Sequence, residues 1–318
     1  MKALSVPQSK SGPADQKKPR GLKSKISHYA SLVRFSHTIF ALPFALSSVA
    51  LAWPRHPVTL RALAWILVAM VGARSAAMGF NRLVDRKFDA LNPRTKNWEL
   101  PQGKVQVGEA IILTSIASLF FIFAAYQLSW LCFLLSPVAL AIVFFYSLTK
   151  RFTWAAHLFL GLALSIAPIG AWLAVAGATV SIGELTTPLL LGLAVVFWLA
   201  GFDIIYSLQD REFDSRQGLH SIPVRFGVAG ALRLSSLFHL ITIIFLALVG
   251  VSAALGYIYW IGFGAVAVVL IWEHRIVTPN DLSRINRAFF DYNAYVSLAY
   301  LLATLADTVF ISGTGIWR

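Results

Sequence analysis

The sequence predicts an all-α membrane protein, a polytopic bundle of about nine transmembrane helices. Three observations predict it: the composition, the length of the apolar runs, and the alternation of charge between them. Of 318 residues, 58% are hydrophobic and 13% charged, and the mean hydropathy is +0.70. Soluble domains carry about 25% charged residues. A water-soluble globule of this size lacks the interior to hide so much apolar side chain, so lipid is the solvent for most of the chain.

A spanning helix needs about 20 mostly apolar residues. That ruler places spans near 36–53, 59–80, 108–127, 130–147, 155–176, 186–208, 229–249, 252–272 and 293–312. Spans three and four are joined only by Gln127-Leu128-Ser129, and spans seven and eight are almost as close, so each pair is a tight antiparallel hairpin. Pro43, Pro137 and Pro168 fall inside spans and read as packing kinks, which membrane helices tolerate when neighbours satisfy the freed carbonyls. Cys132, the sole cysteine, lies in an apolar run and reads as a small buried hydrophobe.

Basic residues outnumber acidic ones, 27 to 14. Such an excess suits nucleic acid or a membrane surface; the apolar bulk decides for membrane lipid and against nucleic acid. Alternate loops are basic. Arg82, Arg86, Lys87, Arg94, Lys96 and Lys104 follow span two, and Lys150 and Arg151 follow span four. Arg211, Arg216 and Arg225 follow span six, and Arg275, Arg284 and Arg287 follow span eight. The loops after spans three, five and seven have no Lys or Arg, and Arg55 and Arg61 after span one are the exception. The positive-inside rule then predicts a multi-pass protein of the cell (inner) membrane, N-terminus in the cytoplasm and C-terminus outside. Residues 1–30 are polar and basic, without the apolar core of a signal peptide. They are expected to form a disordered tail beside anionic headgroups, leaving 31–318 as one transmembrane domain.

Two cytoplasmic loops break the apolar pattern. In the first, Asn81, Asp85 and Asp89 recur every four residues, which on a continuing helix stacks three oxygen-bearing side chains on one face. Hard oxygen donors suit magnesium, which takes one or two carboxylates, water and substrate phosphate. Arg74 lies seven residues earlier on nearly the same face, at a depth where arginine is costly and usually functional. In the second loop Asp203, Tyr206, Asp210 and Asp214 form another expected helical stripe, with Gln209 between. One such stripe alone reads equally well as a solvated loop face. Two on the same side of the membrane can face each other across a cavity and clamp a diphosphate through bridging metal ions. Loss of diphosphate from an allylic carbon leaves a cation, which an aromatic ring can attack inside a water-excluding site with aromatic walls. Phe144, Phe145, Tyr146 and Tyr206 are candidate walls, and Lys150 and Arg151 candidate grips for phosphate oxygens. His37 reads as an interfacial hydrogen-bonder.

These residues give the chain its likeness. It resembles the UbiA superfamily of intramembrane prenyltransferases. The first family motif, NxxxDxxxD, is matched at Asn81, Asp85 and Asp89; the second, DxxYxxQDxxxD, at Asp203, Tyr206, Gln209, Asp210 and Asp214. Asn92 to Pro101, Tyr146 to Thr153 and Ile285 to Asn293 resemble further family segments, and the likeness runs from residue 31 to about 312. It implies a bundle around a central cavity with cytoplasmic cap loops, open sideways to lipid for an isoprenoid tail, and two Mg2+ ions held through the acid motifs. The stretch Ser36 to Pro43 and the Tyr146 segment look most like the bacterial 4-hydroxybenzoate-like group, some of whose members use a naphthoate.

The resemblance therefore implies transfer of a polyprenyl group from polyprenyl diphosphate to an aromatic acid in ubiquinone or menaquinone synthesis. Asp85, Asp89, Asp210 and Asp214 would hold magnesium with help from Asn81. Arg94, Lys150 and Arg151 would bind diphosphate. Arg74 and Tyr146 would place the acceptor, and Asp203 would orient Tyr206 or Arg74. Trp98 stands where the family usually has arginine, and His220 where the ubiquinone enzymes usually have lysine. The rival readings are a tetrapyrrole acceptor and, outside the enzymes, a secondary transporter. The latter needs half-broken spans and charges at the midplane, whereas here the charges gather at one face.

Overall fold

The computed structural model describes residues 28–29 and 40–312, and every structural statement below concerns those residues. Their regular secondary structure is helical, as expected, with no named strand. Ten α-helices of six residues or more follow in order: α1 (Ala41–Ala52), α2 (Leu60–Leu91), α3 (Val107–Leu128), α4 (Trp130–Thr149), α5 (Ala156–Ala176), α6 (Thr186–Ser207), α7 (Arg211–Arg216), α8 (Ile222–Ser252), α9 (Tyr257–Ile276) and α10 (Asn293–Asp307). Eight segments are long and apolar enough to cross a membrane; α1, of 12 residues, is a shorter apolar helix. The first expected span thus shows a described helix of only 12 residues, and positions 36–39 lie outside the described residues, as do His37 and all of the tail but 28–29.

The helices outrun the apolar ruler wherever amphipathic sequence continues the turn. Helix α2 starts on an N-cap, Thr59, whose hydroxyl accepts from the Ala62 N–H at 3.1 Å. It runs 32 residues, about 48 Å at 1.5 Å per residue, against a hydrocarbon core of about 30 Å. The helix therefore exceeds the hydrocarbon thickness by several turns, and its last turns carry Asn81, Asp85 and Asp89. The helix stops at Asn92, which is extended (φ −80°, ψ 123°) because Pro93 disfavours helical geometry in the residue before it. Between α3 and α4 the link is the single residue Ser129, whose hydroxyl caps α4.

Pairs adjacent in sequence pack along each other: α2 with α3, α5 with α6, α9 with α10, while α6 also lies along α8. The largest buried cluster has an aromatic centre, where Phe40, Phe44, Trp198, Phe202, Phe289 and Tyr300 gather. Large apolar side chains such as Leu119, Phe120, Trp130, Ile261 and Val268 point outward. That inverted surface is stable only against lipid.

The second acidic stripe departs from the sequence expectation. Helix α6 ends at Ser207, a 3-10 turn covers Leu208–Asp210, and α7 restarts at Arg211. The tighter turn changes the residue spacing, so the four residues do not share one continuous helix. What replaces that register is a set of partners from the cap loop and α4, described next.

Candidate active site

Helix α2, the following cap loop, the foot of α4 and the α6–α7 junction converge on one chamber of about 290 Å³. Five carboxylates line it (Asp85, Asp89, Asp203, Asp210 and Asp214) and five cations (Arg74, Arg82, Arg94, Lys150 and Arg151). The two acid motifs therefore do share a cavity.

Each carboxylate has a partner. Arg94 grips Asp210 with one edge of its guanidinium, Nε to Oδ1 at 2.9 Å and Nη2 to Oδ2 at 2.6 Å, the fork geometry in which arginine binds carboxylates most strongly. The Asn92 amide adds a donor to the same carboxylate at 3.1 Å. Lys150 Nζ lies 3.3 Å from Asp214. Arg151 donates to Asp85 at 2.9 Å and to the Val84 carbonyl at 2.8 Å. Asn81 donates to the other Asp85 oxygen at 2.9 Å. Arg82 approaches Asp89 at 3.7 Å and lies on the Trp98 ring, 3.5 Å from its centroid. Trp98 is thus a chamber wall carrying a cation. Burial alone would lower the Lys150 pKa; Asp214, Asp210 and Asp203 outweigh it and raise the ammonium above its ordinary value. For Arg94, too, burial is outweighed, by Asp210, Tyr206 and Asp89. Both groups remain charged at neutral pH.

Several expectations are corrected. Asp203 orients neither Tyr206 nor Arg74: it bonds His157 Nδ1 at 2.7 Å, because His157 on α5 reaches it first. Gln209 is exposed and turns away from the chamber, its amide 3.4 Å from Asn286, since the 3-10 turn rotates it outward. Phe144 stacks on Phe80 and Phe145 faces outward against Phe159. Successive helix positions point about 100° apart, so of residues 144–146 only Tyr146 faces the chamber. Arg94, Lys150 and Arg151 hold carboxylates here. His220 keeps its side chain exposed while its N–H donates to the Lys150 carbonyl at 2.7 Å.

Beneath the chamber lies a second cavity of about 300 Å³, almost wholly apolar, between α2, α3, α4 and α5. Arg74, Tyr146, Leu160 and Leu164 line both cavities. Arg74 Nε is buried without a hydrogen-bond partner, which leaves a cationic donor at the junction. Cys132 lines the apolar cavity, in keeping with its reading as a hydrophobe.

Sequence reasoning missed Arg82, Asn92, Phe40 and Phe289 as chamber residues, and His157, which lies behind the lining and holds Asp203. Arg82 was in view but counted as a topology charge. His157 carried a usable signal, an ionisable side chain inside an apolar segment. Phe40 and Phe289 carried none, because apolar aromatics fill most of this chain.

The donor set fits magnesium. The ligands are hard oxygens, and Asp89 Oδ2 is buried without a hydrogen-bond partner. With charges balanced five to five, a polyanionic diphosphate entering alone would leave the chamber net negative, and accompanying metal cations restore the balance. Magnesium takes one or two carboxylates with water and substrate phosphate, a ligand set the chamber's carboxylates can supply in part.

A polar, charge-balanced chamber opening onto apolar space at lipid depth is the layout of an intramembrane enzyme for a substrate with an anionic head and an apolar tail. Residues 41–298 match the UbiA prenyltransferase family. The 4-hydroxybenzoate octaprenyltransferase of Pseudomonas aeruginosa (strain UCBPP-PA14) is 32% identical over 253 residues, 78% of this chain and 81% of that protein. The apo structure of a UbiA homolog from Aeropyrum pernix K1 superposes with a TM-score of 0.78 at 34% identity, covering 85% of this chain and 98% of that one. A UbiA homolog from Archaeoglobus fulgidus, solved bound to GPP and Mg2+, shares the fold at 23% identity, with a TM-score of 0.63 over 88% of this chain and 99% of that one. The chain belongs to the UbiA prenyltransferase family, and it is a multi-pass membrane prenyltransferase.

Proposed function

We propose that this protein transfers a polyprenyl group from polyprenyl diphosphate to an aromatic acid, 4-hydroxybenzoate or a naphthoate, in ubiquinone or menaquinone synthesis. The observation that carries this reading is the shared chamber: both acid motifs and five cations around one space that continues, past Arg74, into an apolar cavity. The name of the Pseudomonas relative supports the acceptor class. The GPP and Mg2+ in the Archaeoglobus homolog support a metal-bound prenyl diphosphate. The basic loops support placing the chamber on the cytoplasmic side of the inner membrane, with the C-terminus outside.

In this reading Asn81, Asp85 and Asp89 hold one magnesium ion and Asp210 and Asp214 a second. Bound there, magnesium neutralises the diphosphate as it departs. Arg94, Lys150 and Arg151, released from their carboxylates, turn to phosphate oxygens. The allylic C–O bond breaks with its electron pair leaving on diphosphate. Tyr206, Tyr146 and the other rings shield the cation from water. Arg74 binds the acceptor's carboxylate beside Tyr146, and the ring carbon attacks the cation and then sheds its proton. Asp203, fixed by His157, holds the base of the chamber.

The test is an assay of membranes containing the protein with geranyl and longer diphosphates against several aromatic acids, with Mg2+ or EDTA. Product with an aromatic acid, lost in EDTA and regained with excess Mg2+, is expected. Product only with a tetrapyrrole, or undiminished product in EDTA, removes this assignment. The tail's location has its own test. Ala73 lines the apolar cavity, and Ala73→Phe fills space a long tail needs. Overpacking of this kind costs about 1–3 kcal/mol. KM for an octaprenyl diphosphate is therefore expected to rise about tenfold, with geranyl diphosphate little affected.

A further inference from the structure

Behind the chamber a polar cluster sits in the bundle core, and nothing in the reaction just described uses it. Glu273 on α9 and Asn293 at the start of α10 are both 0% exposed. A carboxyl inside a membrane helix is expensive and marks function more often than not. The Asn293 amide donates to Glu273 Oε1 at 3.2 Å, to the Ala288 carbonyl at 3.0 Å and to the Phe289 carbonyl at 3.3 Å. The two carbonyls belong to a π-turn, Ala288–Tyr292. Such turns are rare, loosen the helical bonding and recur at functional sites. Here a side-chain amide, itself held by a carboxyl group, bonds two of the turn's carbonyls.

What the turn carries is Phe289. Its ring stacks on Tyr206, centroids 4.0 Å apart and 29° between planes, and meets Phe202 and Phe40 edge-on. Phe289, Phe202, Phe40 and Tyr206 all line the chamber. The other Glu273 oxygen lies 3.6 Å from His239 Nδ1. His239 packs against Gly201, where an added Cβ would collide with the imidazole, and its Nε2 is 3.2 Å from the Trp198 carbonyl. Hydrogen bonds thus tie the cluster to the π-turn that carries Phe289; Glu273 Oε2 has no hydrogen-bond partner, and His239, whose Nδ1 bonds His274 Nε2 at 2.9 Å, only packs beside the carboxyl on the α6 side.

We propose that Glu273 and Asn293 are positioning residues that lock the π-turn, so that Phe289 backs Tyr206 as the ring wall facing the allylic cation. This rests on the prenyl-transfer reading above. An aromatic face stabilises a desolvated cation and excludes water from it. When the wall shifts, water reaches the cation: the water oxygen bonds to the allylic carbon, one proton is lost, and the product is prenyl alcohol. The ratio of prenyl alcohol to prenylated acid therefore reports the wall, and it is independent of how much protein is folded.

The experiment measures that ratio for the full chain in lipid nanodiscs with Mg2+, geranyl diphosphate and 4-hydroxybenzoate. Asn293→Ala and Phe289→Leu are each expected to raise it about tenfold. The double variant rises no further, since both act through one ring. Glu273→Gln, which keeps a carbonyl oxygen for Asn293, restores most of what Glu273→Leu loses. If Asn293→Ala fails to fold, Glu273→Leu carries the same expectation. An unchanged ratio in Asn293→Ala or Glu273→Leu, whatever the total yield, overturns the proposal, as does a double variant whose rise is the product of the singles. Wild-type protein that makes neither product overturns the prenyl-transfer reading itself, so the two failures are told apart.

Discussion

Asp85→Asn and Asp210→Asn each lower kcat by a thousandfold or more while the protein stays folded in detergent. Each replacement removes one full negative charge from a chamber in which carboxylates and cations balance five to five. Loss of a group that stabilises developing charge in a water-excluded site costs about 3–4 kcal/mol per contact, and each 1.36 kcal/mol is tenfold in rate. Loss of a metal ion forfeits several such contacts. The fold should withstand the change, because Asn matches Asp in shape and keeps one of its two acceptor oxygens. Arg151 and Asp85 are both about a third exposed as side chains, 34% and 29%, and ion pairs so wetted contribute little to stability. Steady-state turnover beside thermal unfolding of the purified variants checks both halves. Wild-type turnover in either variant would defeat the metal mechanism.

Arg74→Leu is expected to cut kcat/KM for the aromatic acid about a hundredfold and to leave KM for the diphosphate within about threefold. Truncating one partner of a buried charged contact costs roughly 2–5 kcal/mol, and Arg74 is the junction's cation. The same change should leave the unfolding temperature unchanged or raise it, since a buried donor without a partner is a cost to the free protein. Two titrations separate the substrates. An acceptor analogue with the carboxylate replaced by an uncharged group should be indifferent to the substitution. Equal losses for charged and uncharged acceptors would remove Arg74 from acceptor binding.

How much was legible beforehand differs between fold and site. The membrane bundle followed from apolar run lengths alone, because in lipid every backbone polar group must be satisfied within its own helix. Helix α2 with Asn81, Asp85 and Asp89 was legible for the same local reason: a period of four on an unbroken helix needs no tertiary information. The second stripe was not, since the 3-10 turn at Leu208–Asp210 interrupts it. Nor was the choice among Phe144, Phe145 and Tyr146, which depends on which side of α4 meets α2.

The sequence by itself determined the class of solvent, the order of the helices and the presence of two acid motifs, all properties of neighbours within a few turns. Only the tertiary structure decided who meets whom. Arg94 reaches Asp210 across 116 positions, Arg151 reaches Asp85 across 66, Lys150 reaches Asp214 across 64 and His157 reaches Asp203 across 46. Such pairings depend on how whole helices pack, and no local spacing encodes them. The charges that compose the site were therefore readable one by one, and their partnerships were not.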